Sequence, residues 1–167
     1  FGLTVAHKIP NISKVIGYEI VKEAVLDANE NAIMNNLSNT CEFYVRDLTK
    51  PGPLEGIDVD DKNNSNDEGD ADCIVEAVIL DPARPGCSKD ILSEIRKLRP
   101  KRIVYVSCNP DTQARDASIL FGNEDETGES NGPSSSLPTY SLASVKPCDM
   151  FPHALHVETV AVFDRVD

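Results

Sequence analysis

The sequence predicts an open α/β fold, with helices on both faces of a mostly parallel sheet that ends in an antiparallel C-terminal strand pair. Three observations predict it. Apolar strand-like runs alternate with helix-like stretches along most of the 167 residues, which is the signature of successive strand-helix units. The run Ile103 to Val106 leads into Ser107-Cys108-Asn109-Pro110, which reads as a strand end, a sharp turn and a helix start. The last two strand-like runs, Tyr140 to Val145 and Leu155 to Phe163, have no helix between them and so pair antiparallel.

Taken in order, Phe1-Gly2-Leu3-Thr4-Val5-Ala6 looks like the middle of an amphipathic helix. In nucleotide-type α/β folds a strand and a glycine-rich turn precede such a helix and receive the cofactor. No such glycine turn is present, so the expected sheet is N-terminally truncated. Lys14 to Glu19 reads as a short strand, followed by a helix with Val21, Val25, Ala28 and Ala32 on one face and ended by Asn35 and Asn36. Cys41 to Val45 alternates and is rich in β-formers, with Asp47 just beyond it. Ile74 to Leu80 is nearly continuous in apolar residues, which predicts a strand covered on both faces, stopping at Asp81. Ser88 caps a helix whose Ile91, Leu92, Ile95 and Leu98 share a face, and Pro100 closes it before the strand Arg102 to Val106. Asn109 is then the N-cap and Pro110 the first residue of a helix running to Leu120.

The charge of −12 is unevenly spread. Glu55 to Glu76 holds nine acidic residues and one lysine, and Phe121 to Ser136 holds four acidic and no basic residues; without them the chain has fifteen of each sign. Both segments are also rich in Asn, Ser and Gly. They cannot bury enough apolar surface to offset ordering entropy, so 55–72 and 121–137 are expected to be solvated loop insertions in one domain spanning 1–167. Neither supplies the basic stripe of an autonomous nucleic-acid binder. No apolar run approaches the ~20 residues that cross a bilayer. Cys41, Cys73, Cys87, Cys108 and Cys148 are odd in number and include no Cys-x-x-Cys pair. This argues against zinc ligation and a disulfide framework and for a reducing, intracellular compartment.

Cys108 stands out because a strand end at the carboxyl edge of a parallel sheet is where open α/β folds place ligands. The N–H groups and dipole of the helix that follows favour its thiolate. Read alone, it could equally be a small buried residue. The turn Asp81-Pro82-Ala83-Arg84-Pro85-Gly86, the Ser107-Cys108-Asn109-Pro110 turn and Phe151-Pro152-His153-Ala154-Leu155-His156-Val157-Glu158 decide the matter, because all three fall at strand ends. In this order they resemble the RNA uracil-5-methyltransferase family, whose catalytic domain has an Asp-Pro-Pro-Arg-x-Gly turn, then Ser-Cys-Asn-Pro, then Phe-Pro-x-Thr-x-His-x-Glu. The resemblance covers the chain outside the two acidic segments and departs from the pattern at Ala83 and Ala154.

The resemblance implies a Rossmann-like class I methyltransferase sheet and an S-adenosylmethionine-dependent RNA uridine carbon-5 methyltransferase acting on transfer or ribosomal RNA. It implies Cys108 as the nucleophile that adds to uracil carbon 6 and Glu158 as the base that removes the carbon 5 proton. Glu19 would accept the cofactor ribose hydroxyls, with Asp81 and Asp47 also at the cofactor. Arg84 and Asn109 are the candidate substrate-binding residues, and His156 an orienting residue. No metal is expected, and RNA is the expected partner, held with the help of upstream domains. The alternative is a catalytically inactive fragment serving as a binding or structural module; methylation of another pyrimidine carbon is a third reading.

Overall fold

The computed structural model describes residues 1–50, 52, 54–57, 75–122, 137–150, 152–153 and 157–166. The bulk of both predicted insertions, Cys73, Phe151, Ala154 and His156 lie outside these residues. The chain divides into two compact units, Phe1–Asn63 and Asn64–Asp167.

The first unit contains α1 (Gly2–Lys8), β1 (Val15–Glu19), α2 (Lys22–Met34) and β2 (Cys41–Val45). β1 and β2 are parallel, in register from Val15 opposite Cys41 to Glu19 opposite Val45. Helix α2 buries Val25 and Ala32, and Asn29 pins it to the sheet. The Asn29 amide donates to Phe43 O at 3.0 Å and accepts from Phe43 N at 3.2 Å. Val21, expected on the packed face, is instead the N-cap residue in extended geometry and is half exposed, because the helix begins one residue after it. The helix ends at Asn35 as expected, and Asn36 takes a left-handed φ of 58°, a conformation Asn tolerates better than most residues. Gly17 faces Phe43 across the ladder so closely that a Cβ would lie 2.5 Å from the ring. The next pair, Tyr18 and Tyr44, stacks with centroids 6.1 Å apart.

The second unit contains β3 (Ala77–Leu80), α3 (Lys89–Lys97), β4 (Arg102–Ser107), α4 (Pro110–Leu120), β5 (Thr139–Cys148) and β6 (Glu158–Val166). Its sheet order is β3-β4-β6-β5, with β3 and β4 parallel and β6 antiparallel to both β4 and β5. The expected antiparallel C-terminal strand pair, β5 and β6, is present beside the parallel ladders, with β6 inserted between β4 and β5. Ser88 caps α3 through a bond from Ile91 N at 3.3 Å, and the predicted face of Ile91, Leu92, Ile95 and Leu98 is buried. With Ile103, Tyr105, Leu120 and Phe163 it makes the core; fully burying each such aliphatic side chain contributes ~1.5–3 kcal/mol. One expectation fails. β3 is not covered on both faces: Ala77 and Ile79, which alternate onto one face, are exposed, Ile79 by 39%, while Leu80 on the other face is buried. Phe121, where the acidic insertion was expected to start, is 37% exposed and has its ring 5.9 Å from that of Phe163. Gly122 follows with φ +79°, and a Cβ there would meet Thr139 Cγ2 at 2.7 Å.

Gly17→Ala should lower stability by ~1–3 kcal/mol, as overpacking does where a rigid ring blocks the added methyl. Thermal melting followed by circular dichroism checks this; an unchanged midpoint would mean Phe43 yields without cost.

Candidate active site

In the second unit the parallel pairing of β3 with β4, in which Leu80 faces Tyr105, brings two strand ends to one sheet edge. Asp81 leaves β3 there and Cys108 follows β4. The turn is built as its residue types require. The buried Ser107 Oγ accepts the Asn109 N–H at 3.0 Å and donates to Asn109 O at 3.0 Å, closing a loop around the half-buried Cys108 thiol. Asn109 Oδ1 caps α4 by accepting Asp111 N at 3.2 Å, and Pro110 takes the first helical position.

Glu158 is the first residue of β6. The β4-β6 ladder runs from Arg102 opposite Asp164 to Ser107 opposite Thr159. Cys108 is the residue just past the end of β4, and Glu158, opposite Cys148 of β5, is the residue just before Thr159. The candidate nucleophile and candidate base therefore adjoin, along the chain, the two residues of the last β4-β6 pair.

Helix α4 also holds the loop after β3. Asn109 Nδ2 and Thr112 Oγ1 donate to Arg84 O at 3.2 and 3.1 Å, and Arg115 Nη2 donates to Pro85 O and Cys87 O at 2.8 and 3.3 Å. At the centre lies Asp116, fully buried. It accepts from Cys87 N at 2.7 Å, Tyr105 Oη at 2.5 Å and the Arg115 guanidinium at 2.6 and 2.9 Å. Gly86, at φ +79°, passes so near that a Cβ would lie 2.6 Å from Asp116 Oδ2. The turn is thus held firmly although it has Ala83 where the family pattern has proline; Gly86 N closes it on Ala83 O at 2.9 Å. The side chains of Asp81 and Arg84 are left exposed. Burial pushes the Cys87 thiol up to about 11, and burial together with the bond to Asp116 raises the Tyr105 phenol far above its ordinary value. Cys87 is therefore held as a thiol.

In the first unit, Glu19 and Asp47 lie at the carboxyl edge of the β1-β2 pair, where Arg46 N bonds Glu19 O at 2.8 Å. Glu19 is exposed, and its Oε1 accepts Val21 N at 2.9 Å, which fixes the carboxylate at the entry to α2. Asp47 Oδ1 accepts Thr49 Oγ1 at 2.5 Å and Thr49 N at 3.0 Å, and Oδ2 lies 3.2 Å from Lys50 Nζ. These contacts, the Thr49 hydroxyl foremost, hold its carboxyl below the usual range.

Reading the sequence did not single out Tyr105, Gln113, Asp116 or Thr159, although all four are buried around the Cys108 turn. The available signal was the spacing of Gln113, Asp116, Ala117 and Leu120, which puts two polar residues on the apolar face of α4.

The sequence model of the tRNA (uracil-5-)-methyltransferase family matches residues 1–122. An uncharacterized RNA methyltransferase of Staphylococcus epidermidis is 37% identical over 158 residues, covering 95% of this chain and 28% of that protein. One from Bacteroides thetaiotaomicron is 39% identical over 151 residues, covering 90% and 27%. The chain thus spans between a quarter and a third of the length of the curated relatives it matches. The crystal structure of Pyrococcus abyssi tRNA (uracil-54, C5)-methyltransferase in complex with S-adenosyl-L-homocysteine superposes with a TM-score of 0.60 at 27% identity, over 90% of this chain and 28% of that one.

The raised Cys87 value has a defined consequence. A group whose folded pKa lies above its ordinary value stabilises the fold below that ordinary value, near 9, and loses the contribution as pH rises through about 11. Urea midpoints should fall across this window, and the fall should be smaller in Cys87→Ala; parallel curves would mean that the thiol titrates freely.

Proposed function

Because the chain belongs to the tRNA (uracil-5-)-methyltransferase family, we propose that it is the catalytic part of an S-adenosylmethionine-dependent enzyme that methylates uridine carbon 5 in transfer or ribosomal RNA. The observation that carries this reading is that Cys108 and Glu158 adjoin the last pair of the β4-β6 ladder, Ser107 opposite Thr159. The reading takes residues 1–167 as one methyltransferase domain, with the acidic stretches as insertions in it, working in a reducing intracellular compartment where the Cys108 thiol stays free.

The acceptor groups present suit the cofactor. Glu19 has an exposed carboxylate with a fixed rotamer at a strand end, a group suited to a ribose diol. Glu19 and Asp47 of the first unit, and Asp81 of the second, are each proposed as a contact to S-adenosylmethionine, which when bound would supply an electrophilic methyl group through cleavage of its methyl–sulfur bond and leave as the neutral thioether. The remaining chemistry belongs to the chain. Uracil carbon 5 is a weak nucleophile, and Cys108 as thiolate adds to carbon 6, pushing electron density onto carbon 5 so that it forms the new carbon–methyl bond. Glu158 then takes the proton from carbon 5; the electron pair of that bond re-forms the 5,6 double bond and expels the Cys108 thiolate. The α4 frame holds the Asp81 loop and the Cys108 turn in one arrangement before substrate arrives, which is how positioning lowers a barrier. Arg84 is exposed beside this edge, suited to an RNA phosphate. Asn109 follows the thiol along the chain, and its side chain, which caps α4 and donates to Arg84 O, ties the Cys108 turn to the loop that carries Arg84. A target pyrimidine must be splayed out of its stack to reach Cys108.

With RNA containing 5-fluorouridine the carbon 5 proton is replaced, so the thiol adduct persists and migrates as a protein-RNA band. Cys108→Ala should abolish that band, and its survival would remove Cys108 from the mechanism. With ordinary RNA, Glu158→Gln should slow turnover by ~10²–10⁴-fold and accumulate the methylated adduct; unchanged turnover would exclude Glu158 as the base. Calorimetric titration of S-adenosylmethionine should show affinity falling by about 1–3 kcal/mol in Glu19→Ala, a loss on the order of tenfold to a hundredfold. Equal affinities would place the ribose elsewhere.

A further inference from the structure

Beneath the Cys108 turn runs a buried chain of hydrogen bonds that the chemistry above does not use. Gln113 Nε2 donates to Tyr105 O at 2.9 Å. That carbonyl can only accept, so the Gln113 amide is oriented and its Oε1 faces Thr159. Thr159 Oγ1 lies 2.8 Å from Gln113 Oε1 and 3.2 Å from Ser107 O, sharing its hydroxyl proton between them. Ser107, Gln113 and Thr159 are 3%, 6% and 7% exposed. A buried glutamine in the first turn of a short amphipathic helix is costly unless its polar atoms are matched, and here its nitrogen and its oxygen each bond one strand, β4, which leads into Cys108, and β6, which begins with Glu158.

The location of this chain matters more than its strength. Ser107 O belongs to the peptide group that enters Cys108, so a donor on that oxygen fixes the plane from which the cysteine side chain departs. Thr159 is the residue next to Glu158, and Ser107 opposite Thr159 is the last pair of the β4-β6 ladder. Strand ends fray first, and both reacting residues lie at or past this end. We propose that Gln113 and Thr159 are positioning residues that clamp the last β4-β6 pair and so hold the adjoining Cys108 and Glu158 in place for thiol addition and proton removal. This rests on the function proposed above.

The test measures the rate of adduct formation with 5-fluorouridine RNA in the whole natural protein, over a range of RNA concentrations. Thr159→Val keeps the shape and removes the hydroxyl; Thr159→Ser keeps the hydroxyl; Gln113→Leu removes the bridge while leaving Thr159 its bond to Ser107 O. The rate at saturating RNA should fall by about 100-fold in Thr159→Val, the cost of misplacing a reacting group by roughly an ångström. It should fall less in Gln113→Leu and recover in Thr159→Ser, and the half-saturating RNA concentration should stay unchanged in all three. Thermal melts identify variants that fold; if Thr159→Val does not, Gln113→Leu against wild type decides alone. Saturating rates equal to wild type in folded variants, or an effect confined to the half-saturating concentration, would overturn the clamp and leave the function standing. No adduct with the wild-type protein would overturn both.

Discussion

A carboxylate with no exposed surface, Asp116, collects hydrogen bonds from three parts of the chain: the loop after β3 through Cys87 N, strand β4 through Tyr105 Oη, and its own helix through Arg115. Removing one of these donors costs ~1–3 kcal/mol, because the buried carboxylate oxygen is left without a partner. Other features follow from this knot. Gly86 must be glycine because the backbone passes against the carboxylate, and α4 must lie where it does because Asp116 is on its inner face.

The knot also sorts the polar groups of the sheet edge into two kinds. Backbone carbonyls of the β3 loop are occupied by side chains from α4, whereas the side chains of Asp81 and Arg84 extend outward. Rigid support beneath exposed, chemically varied side chains is the arrangement that ligand sites need. The first unit follows the same division: Asn29 fastens α2 to β2 by main-chain bonds, and Glu19 stands exposed at the strand end.

Much of this was legible in the sequence where the cause is local. The Ser88 and Asn109 caps, Pro110 at the helix start and the i, i+4 face of α3 each depend on neighbours a few residues away, and each takes its expected form. What depended on register over long separations was not legible. Nothing local reveals that Ser107 faces Thr159 across more than fifty residues, or that β6 enters between β4 and β5. Gln113 and Asp116 were not singled out because their partners, Tyr105, Thr159 and Cys87, lie far away in sequence or on other elements. Val21 misled in the opposite way: it fitted the apolar repeat, yet the helix starts after it.

Gly122 and Thr139 touch, with Phe121 against Phe163 on one side and Pro138 O bonded to Arg96 Nε at 3.0 Å on the other. Residues 122 and 139 thus lie side by side in the second unit. Because closing a loop between fixed, adjacent ends becomes only slowly more expensive with length, this gateway is a natural graft site. A reporter domain or affinity tag whose own termini lie close together would match the spacing of these two ends and leave the ring contact and the β5-β6 ladder as they are.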